Sequence, residues 1–258
     1  MDRLGKQTVV TEAGKVLLEQ AEAILAAVDK AERQVKEFDQ AMSGRLVVGA
    51  IPTIAPYLLP EVVKEFTTQH PSVELILHED FTSHLIPAAA SGDLDVAIMA
   101  LPIPDERLTG EPLFTEALLV ALPESHRLLS RKEISLADIR EERFIVLNEM
   151  HCLGEQTLHF CREGGCHRIT CRTSQLSTVL TLIALGQGVS LVPQMALPAG
   201  GEAGPVVFRR LTSEQPERTI AAVWHKDRYQ GAASLRFLSV LKARIARRAR
   251  RELRPESP

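Results

Sequence analysis

All four cysteines of this 258-residue chain fall between positions 151 and 171, in the run HCLGEQTLHFCREGGCHRITC. Three histidines, His151, His159 and His167, stand among them. Clustering of this kind points to sulfur chemistry, and three readings are open. Thiolates are nucleophiles and the site of oxidation. Thiolates with imidazoles also suit zinc. Third, the cysteines are incidental to a domain that does something else. Spacing weighs against a metal: successive cysteines lie 9, 5 and 5 positions apart, and no C-x-x-C pair is present. No metal and no other cofactor is expected.

The compartment bears on the same question. The N-terminus carries no long apolar core behind its charges, so it is not a secretory signal. No stretch reaches the roughly 18 apolar residues that span a membrane. A cytoplasmic protein is expected, where disulfides are usually transient, catalytic or sensing. Hydrophobic residues make up 45% of the chain and the formal net charge is −3. That composition supports a real core and excludes a general affinity for nucleic acid. The length allows one or two domains.

The elements that must position the cysteines follow in chain order. Thr11 reads as a helix N-cap. Leu17, Ala21, Ile24, Val28, Ala31, Val35 and Phe38 then step by 4 and 3 alternately, the a/d seam of a coiled coil. Ser43-Gly44 ends this long helix. It is read as a dimerisation helix, the alternative being a helix packed along its own domain. From Arg45 the order is strand RLVVGA, helix Tyr57 to Thr68, strand VELILHE, helix Leu85 to Ser91 and strand LDVAIMAL. That alternation predicts a parallel sheet covered by helices. Two strand-like runs follow, LTGEPLF and EALLVAL. The alternation then repeats through RFIVL, the cysteine run, ITCRT, Gln175 to Leu185 and VSLVP. TIAAVWH reads as a further strand and Ala233 to Leu253 as a helix. Its arginine-rich end, RIARRARRELR, reads as a solvated face or as a contact for phosphates or an acidic partner.

These segments resemble the LysR-type transcriptional regulators. TEAGKVLLEQAEAIL is similar to the end of that family's winged helix-turn-helix and its linker helix. GRLVVGAIPTIAPYLLPEVVKEFTTQHPSVEL, LDVAIMAL and ALGQGVSLVPQMAL are similar to its effector-binding domain. The resemblance implies an α/β fold of two Rossmann-like lobes, like periplasmic solute receptors, joined by two crossing strands. It also implies a homodimer or tetramer. Residues 1–10 would be a remnant of the DNA-binding wing, 11–43 the linker helix and 44–258 the effector domain. Its first lobe would be 45–118 with 219–253, and its second 119–218. About ten residues before the linker are too few for the two helices of a reading head, so the chain by itself is expected not to read promoter DNA.

HCLGEQTLHFC, IPT, HEDFT and ERTIAAVW narrow the resemblance to the peroxide-sensing OxyR branch. It implies that Cys152 is the peroxidatic thiol and Cys161 the resolving one. It places Thr53, Thr82, His151 and Arg218 at the peroxide pocket. Cys166 and Cys171 are extra to the branch's pair and are alternative resolving thiols. Residue chemistry fits this reading. Cys152 stands at the expected start of a helix beside His151, and both helix N–H groups and an imidazole favour a thiolate. The bland alternatives are that Thr53 caps a helix and that Arg218 pairs with a surface carboxylate.

Spacing then carries a mechanism. If Leu153 to Arg162 form a helix, Cys152 and Cys161 have Cα atoms about 13 Å apart, at about 1.5 Å per residue. A disulfide tolerates at most about 7 Å. The segment must therefore unwind before the bond can close, with Gly164-Gly165 as a hinge. Motifs for a phosphate loop, a serine nucleophile elbow or a zinc protease are missing, so no enzyme is expected. Two functions remain: a redox-sensing regulator of the LysR type that responds to hydrogen peroxide, or a receptor-like domain that closes on a small anion with no redox role.

Overall fold

The structure, a computed structural model, describes residues 2–4, 7–9, 11–12, 14–17, 20–21, 24, 43–148, 152–164, 168–197, 204–212 and 215–252. Asp2–Leu4 (β1) and Gln7–Val9 (β2) form an antiparallel pair. The expected helix from Thr11 to Met42 lies largely outside the described residues. Those described between 12 and 24 are helical. Leu17 and Ile24, both in the apolar series, are 70% and 64% exposed in the single chain.

Gly44–Ala50 (β3), Val73–Glu79 (β4) and Val96–Ala100 (β5) pair in parallel around a central β3. Helices Ala55–Gln69 (α1) and Thr82–Ser91 (α2) make the crossovers. β5 is buried at every position, as its unbroken apolar run VAIMA requires of a strand covered on both faces. One expectation is corrected here. LTGEPLF and EALLVAL are not two strands but one, Leu108–Pro123 (β6). The reason is a change of partner along its length. Leu108 to Ala117 pair with Glu217–His225 (β11), and Leu118 to Pro123 pair with Ser190–Pro193 (β9) and Val206–Arg209 (β10). β6 and β11 cross antiparallel between the two halves of one sheet of order β10-β6-β11-β5-β3-β4.

Beyond the crossing, Leu136–Ile139 (α3) begins with a capping box made by Ser135 and Asp138. Phe144–Leu147 (β7) and Ile169–Thr173 (β8) pair in parallel, with helices Cys152–Gly164 (α4) and Leu176–Ala184 (α5) around them. Ala232–Glu252 (α6) returns to pack on α1, where Phe66 and Phe237 meet edge to face at 5.5 Å. Two separate cores result. The first is built on Leu46, Val62, Phe66, Ile98 and Phe237, the second on Leu122, Phe144, Val146, Val179 and Ile183.

The arginine run on α6 is not simply a solvated face. Arg244 donates to Glu61 at 2.9 Å and Arg247 to Glu65 at 2.7 Å, matching glutamates one turn apart on α1. Exposed pairs of this kind add little stability each, roughly 0–1 kcal/mol. Their effect is to fix the register of α6 on α1. Among the described residues no helix is long and apolar enough to cross a membrane.

A candidate thiol site between the two cores

The site is built by the first turn of α4. Leu153, Gly154, Thr157, Leu158 and Cys161 are buried, and Glu155 and His159 are exposed. This i, i+4 stripe docks α4 on the second core, and Cys161, 2% exposed, belongs to that core. Cys152 is the first residue of α4, about 100° around the helix from Leu153. It turns away from the stripe and packs against the edge of the first core. One helix therefore holds its two thiols in two different cores. Both are reduced, and at about 1.5 Å per residue their Cα atoms lie about 13 Å apart.

Gly154 fixes where this turn sits. A Cβ there would stand 2.6 Å from the carbonyl oxygen of Leu147 and still closer to that of Asn148. Only glycine lets α4 begin this tightly against the end of β7. Thr157 Oγ1 donates to the Leu153 carbonyl at 2.8 Å, so the buried hydroxyl is satisfied within the helix.

Facing the thiol is a buried polar network. The Arg218 guanidinium on β11 is fully buried and donates from Nε to Glu116 Oε1 on β6 at 2.8 Å. Its Nη1 donates to Thr53 Oγ1 at 2.8 Å and its Nη2 to the Thr53 carbonyl at 3.1 Å. Glu116 Oε2 accepts the Met195 N–H at 2.8 Å. Thr53 does not cap α1, whose N-cap is Ile54. Arg218 does pair with a carboxylate, but inside the protein and not on its surface. Thr82, the first residue of α2, has a buried hydroxyl with no full hydrogen bond among the described residues, and it approaches the Cys152 thiol. Tyr57 packs against both cores, and burial raises its phenol pKa while the charge of Arg218 opposes the rise.

The Cys152 thiol is pushed up from its ordinary pKa, chiefly by burial. The charge of Arg218 pulls the other way, then the Thr82 hydroxyl, then the backbone N–H groups of Leu153 and Cys152. The sequence suggested a lowered pKa from the helix N-terminus. Those N–H groups do act in that direction, but partial removal from water outweighs them at this half-buried residue.

Other expected residues fall differently. His151 and Cys166 lie outside the described residues. Cys171 is half-buried on β8, opposite Ile145 of β7, and packs against the second core. Four polar residues were missed. Glu116 and Tyr57 stand far from the cysteines in sequence and left no local signal. Gln156 lies one turn after Cys152 on the same face of α4, a spacing that could have marked it. Its Oε1 is buried without a hydrogen-bond partner among the described residues, as is Oδ1 of Asn148, whose carbonyl lies against Gly154. Among the described residues no cluster of three or more His, Cys, Asp and Glu side chains is placed to hold a metal ion.

Comparison with known proteins gives this geometry a context. Residues 39–246 match the model of the LysR substrate binding domain. The DNA-binding transcriptional dual regulator OxyR of Escherichia coli K12 is 33% identical over 239 residues, 90% of this chain and 78% of that protein. A hydrogen-peroxide-bound OxyR cysteine variant of Corynebacterium glutamicum superposes with a TM-score of 0.73 at 28% identity, covering 99% of this chain and 84% of the other. A full-length OxyR variant of Pseudomonas aeruginosa gives 0.71 at 27%, covering 95% and 83%.

Proposed function

Because the chain belongs to the LysR family of transcriptional regulators, and within it to the OxyR group, we propose that it is the regulatory part of a hydrogen-peroxide sensor that switches by a reversible Cys152–Cys161 disulfide. The observation that carries this reading is the placement of the two thiols, on one helix but in two cores.

In the first step the Cys152 thiolate attacks one peroxide oxygen. The O–O bond breaks, Cys152 becomes a sulfenic acid and hydroxide leaves with the bond's electron pair. Arg218 supplies positive charge for the thiolate and for the departing hydroxide. We assign Thr53, Thr82 and His151 to the peroxide pocket, and Gln156 Oε1, which has no hydrogen-bond partner among the described residues, offers a further acceptor. In the second step the Cys161 sulfur attacks the sulfenic sulfur. The disulfide forms, and hydroxide, joined by the proton of the Cys161 thiol, leaves as water. Because about 13 Å of helix separates the two Cα atoms and a disulfide accepts at most about 7 Å, α4 unwinds and the bond holds the new shape. Cys171 and Cys166 are alternative resolving thiols.

The lobe bounds we assign are 45–118 with 219–253, and 119–218, supported by the membership of the two cores apart from Leu118 and Met195, which each sit in the other lobe's core. The exposed Leu17 and Ile24 support assembly of two or four copies through the long helix. The compartment is the cytoplasm, and the protein is a regulator and not an enzyme. Thiol titration before and after one equivalent of peroxide tests the reading. Loss of two thiols, with Cys152 in the linked peptides, is expected, and Cys152→Ser abolishes the fast reaction. No thiol loss, or an unmodified Cys152, overturns it.

A further inference from the structure

Arg218 and Glu116 stand directly opposite each other on β11 and β6, where the two strands cross between the halves of the sheet. Directly opposed residues of an antiparallel pair share one face of the sheet. That face is closed here, with the two side chains 0% and 6% exposed. Glu116 holds one edge of the guanidinium: Nε donates to its Oε1 at 2.8 Å, and Nη2 lies 2.8 Å from the same oxygen. Thr53 holds the other edge, taking Nη1 on its hydroxyl at 2.8 Å and Nη2 on its carbonyl at 3.1 Å. The carboxylate is fixed as well, because Oε2 accepts the N–H of Met195, whose side chain is packed in the first core.

The same cation serves a second anion. Arg218 is the charge that draws Cys152 toward its thiolate, against the effect of burial. Other groups around the thiol and the carboxylate contribute differently. The Tyr57 phenol of α1 feels the Arg218 charge too, but burial keeps it protonated beyond its ordinary range. Thr82 of α2 adds an uncharged hydroxyl. Glu116 also borders a cavity whose wall carries Arg210, Glu217 and Arg248. A buried guanidinium divides its donors and its field among the anions it reaches, and what the carboxylate takes is lost to the thiolate. Without the carboxylate, Thr53 still holds Nη1 and Nη2 in place. The thiolate then becomes counter-ion to a charge that is costly to leave buried and unpaired.

We propose that Glu116 is a positioning residue that restrains the sensor: it competes with the Cys152 thiolate for Arg218, and so sets how readily Cys152 ionises and reacts with peroxide. The peroxide half rests on the switch reading above; the competition for Arg218 does not.

Alkylation of Cys152 by iodoacetamide, followed against pH by peptide mass, reads its ionisation without peroxide. His151, outside the described residues, is common to every variant compared. In Glu116→Gln the midpoint should fall by about one pH unit, about a tenfold gain in thiolate at neutral pH. A less basic thiolate is also a weaker nucleophile, by about threefold per unit. The variant should therefore react about threefold faster than the parent at neutral pH and about threefold slower on the alkaline plateau. Looser packing alone would move both limbs in one direction and leave the midpoint in place. The shift should be lost when Arg218→Gln is added, since nothing is then left to compete for. Glu116→Asp keeps the charge but draws it back by one methylene. It should shift the midpoint the same way by less, and it decides the matter if the glutamine variant does not fold. An unmoved or raised midpoint, both limbs moving together, or a shift that survives Arg218→Gln overturns the proposal. Peroxide-driven loss of the Cys152 thiol should show the same crossing of rates, and alkylation that crosses while peroxide rates do not overturns the peroxide half. A chain whose Cys152 ignores peroxide altogether fails the switch reading instead, and alkylation still decides the role of Glu116.

Discussion

At the residue scale, two opposed effects set the reactivity of Cys152. Burial raises the thiol's pKa and the Arg218 charge lowers it. Arg218→Gln should therefore slow peroxide oxidation at neutral pH by about 10- to 100-fold, as measured by stopped-flow thiol loss. The sign with pH follows from the raised pKa. Oxidation of the parent chain should accelerate as pH rises through the ordinary thiol value of about 8.5 and beyond it. Stability moves the other way, because the unfolded thiol ionises first: the reduced fold keeps its full stability below about pH 8.5 and loses it as pH climbs toward the folded value. Cys152→Ser should flatten that alkaline loss in a denaturant titration. The network behind Arg218 was not legible in the sequence. Thr53 and Arg218 could be marked by motif, but Glu116 is joined to them only by the crossing of β6 and β11, which no local pattern announces.

At the element scale, α4 is the part that must change. Its buried stripe is made by Leu153, Thr157, Leu158 and Cys161, a spacing that fits the helix assumed over Leu153 to Arg162. What the pattern did not reveal is why the helix starts where it does. Gly154 decides that, through a contact with the carbonyls at the end of β7 that is visible only once the fold brings the two segments together. Gly154→Ala should push the first turn off β7, costing about 1–3 kcal/mol as overpacking does, and should draw Cys152 away from Thr82 and Arg218. A lowered melting temperature together with slower thiol oxidation is expected. Parent-like kinetics in a folded variant would show that the turn's position is unimportant. β6 marks another limit of periodicity. Two apolar runs looked like two strands, but only Thr115 lies between them, and the change of partner at Ala117 falls inside the second run without breaking the strand.

At the scale of the whole molecule, the alternation of strands and helices was enough to expect two α/β lobes, since each parallel unit needs its own covering helices. Assembly is argued from the stripe on the long helix. Leu17→Glu with Ile24→Glu should turn a dimer into a monomer by light scattering, leaving thiol chemistry intact; an unchanged mass would place the interface elsewhere. The central claim is that closing the disulfide requires α4 to unwind. Hydrogen–deuterium exchange over Cys152–Gly164, measured before and after one equivalent of peroxide on protein whose Cys152–Cys161 link is confirmed by peptide mass, tests it most directly. Protected amides that become exchangeable on oxidation and regain protection on reduction are the predicted result. A linked pair with the helix still protected along its length would contradict the account.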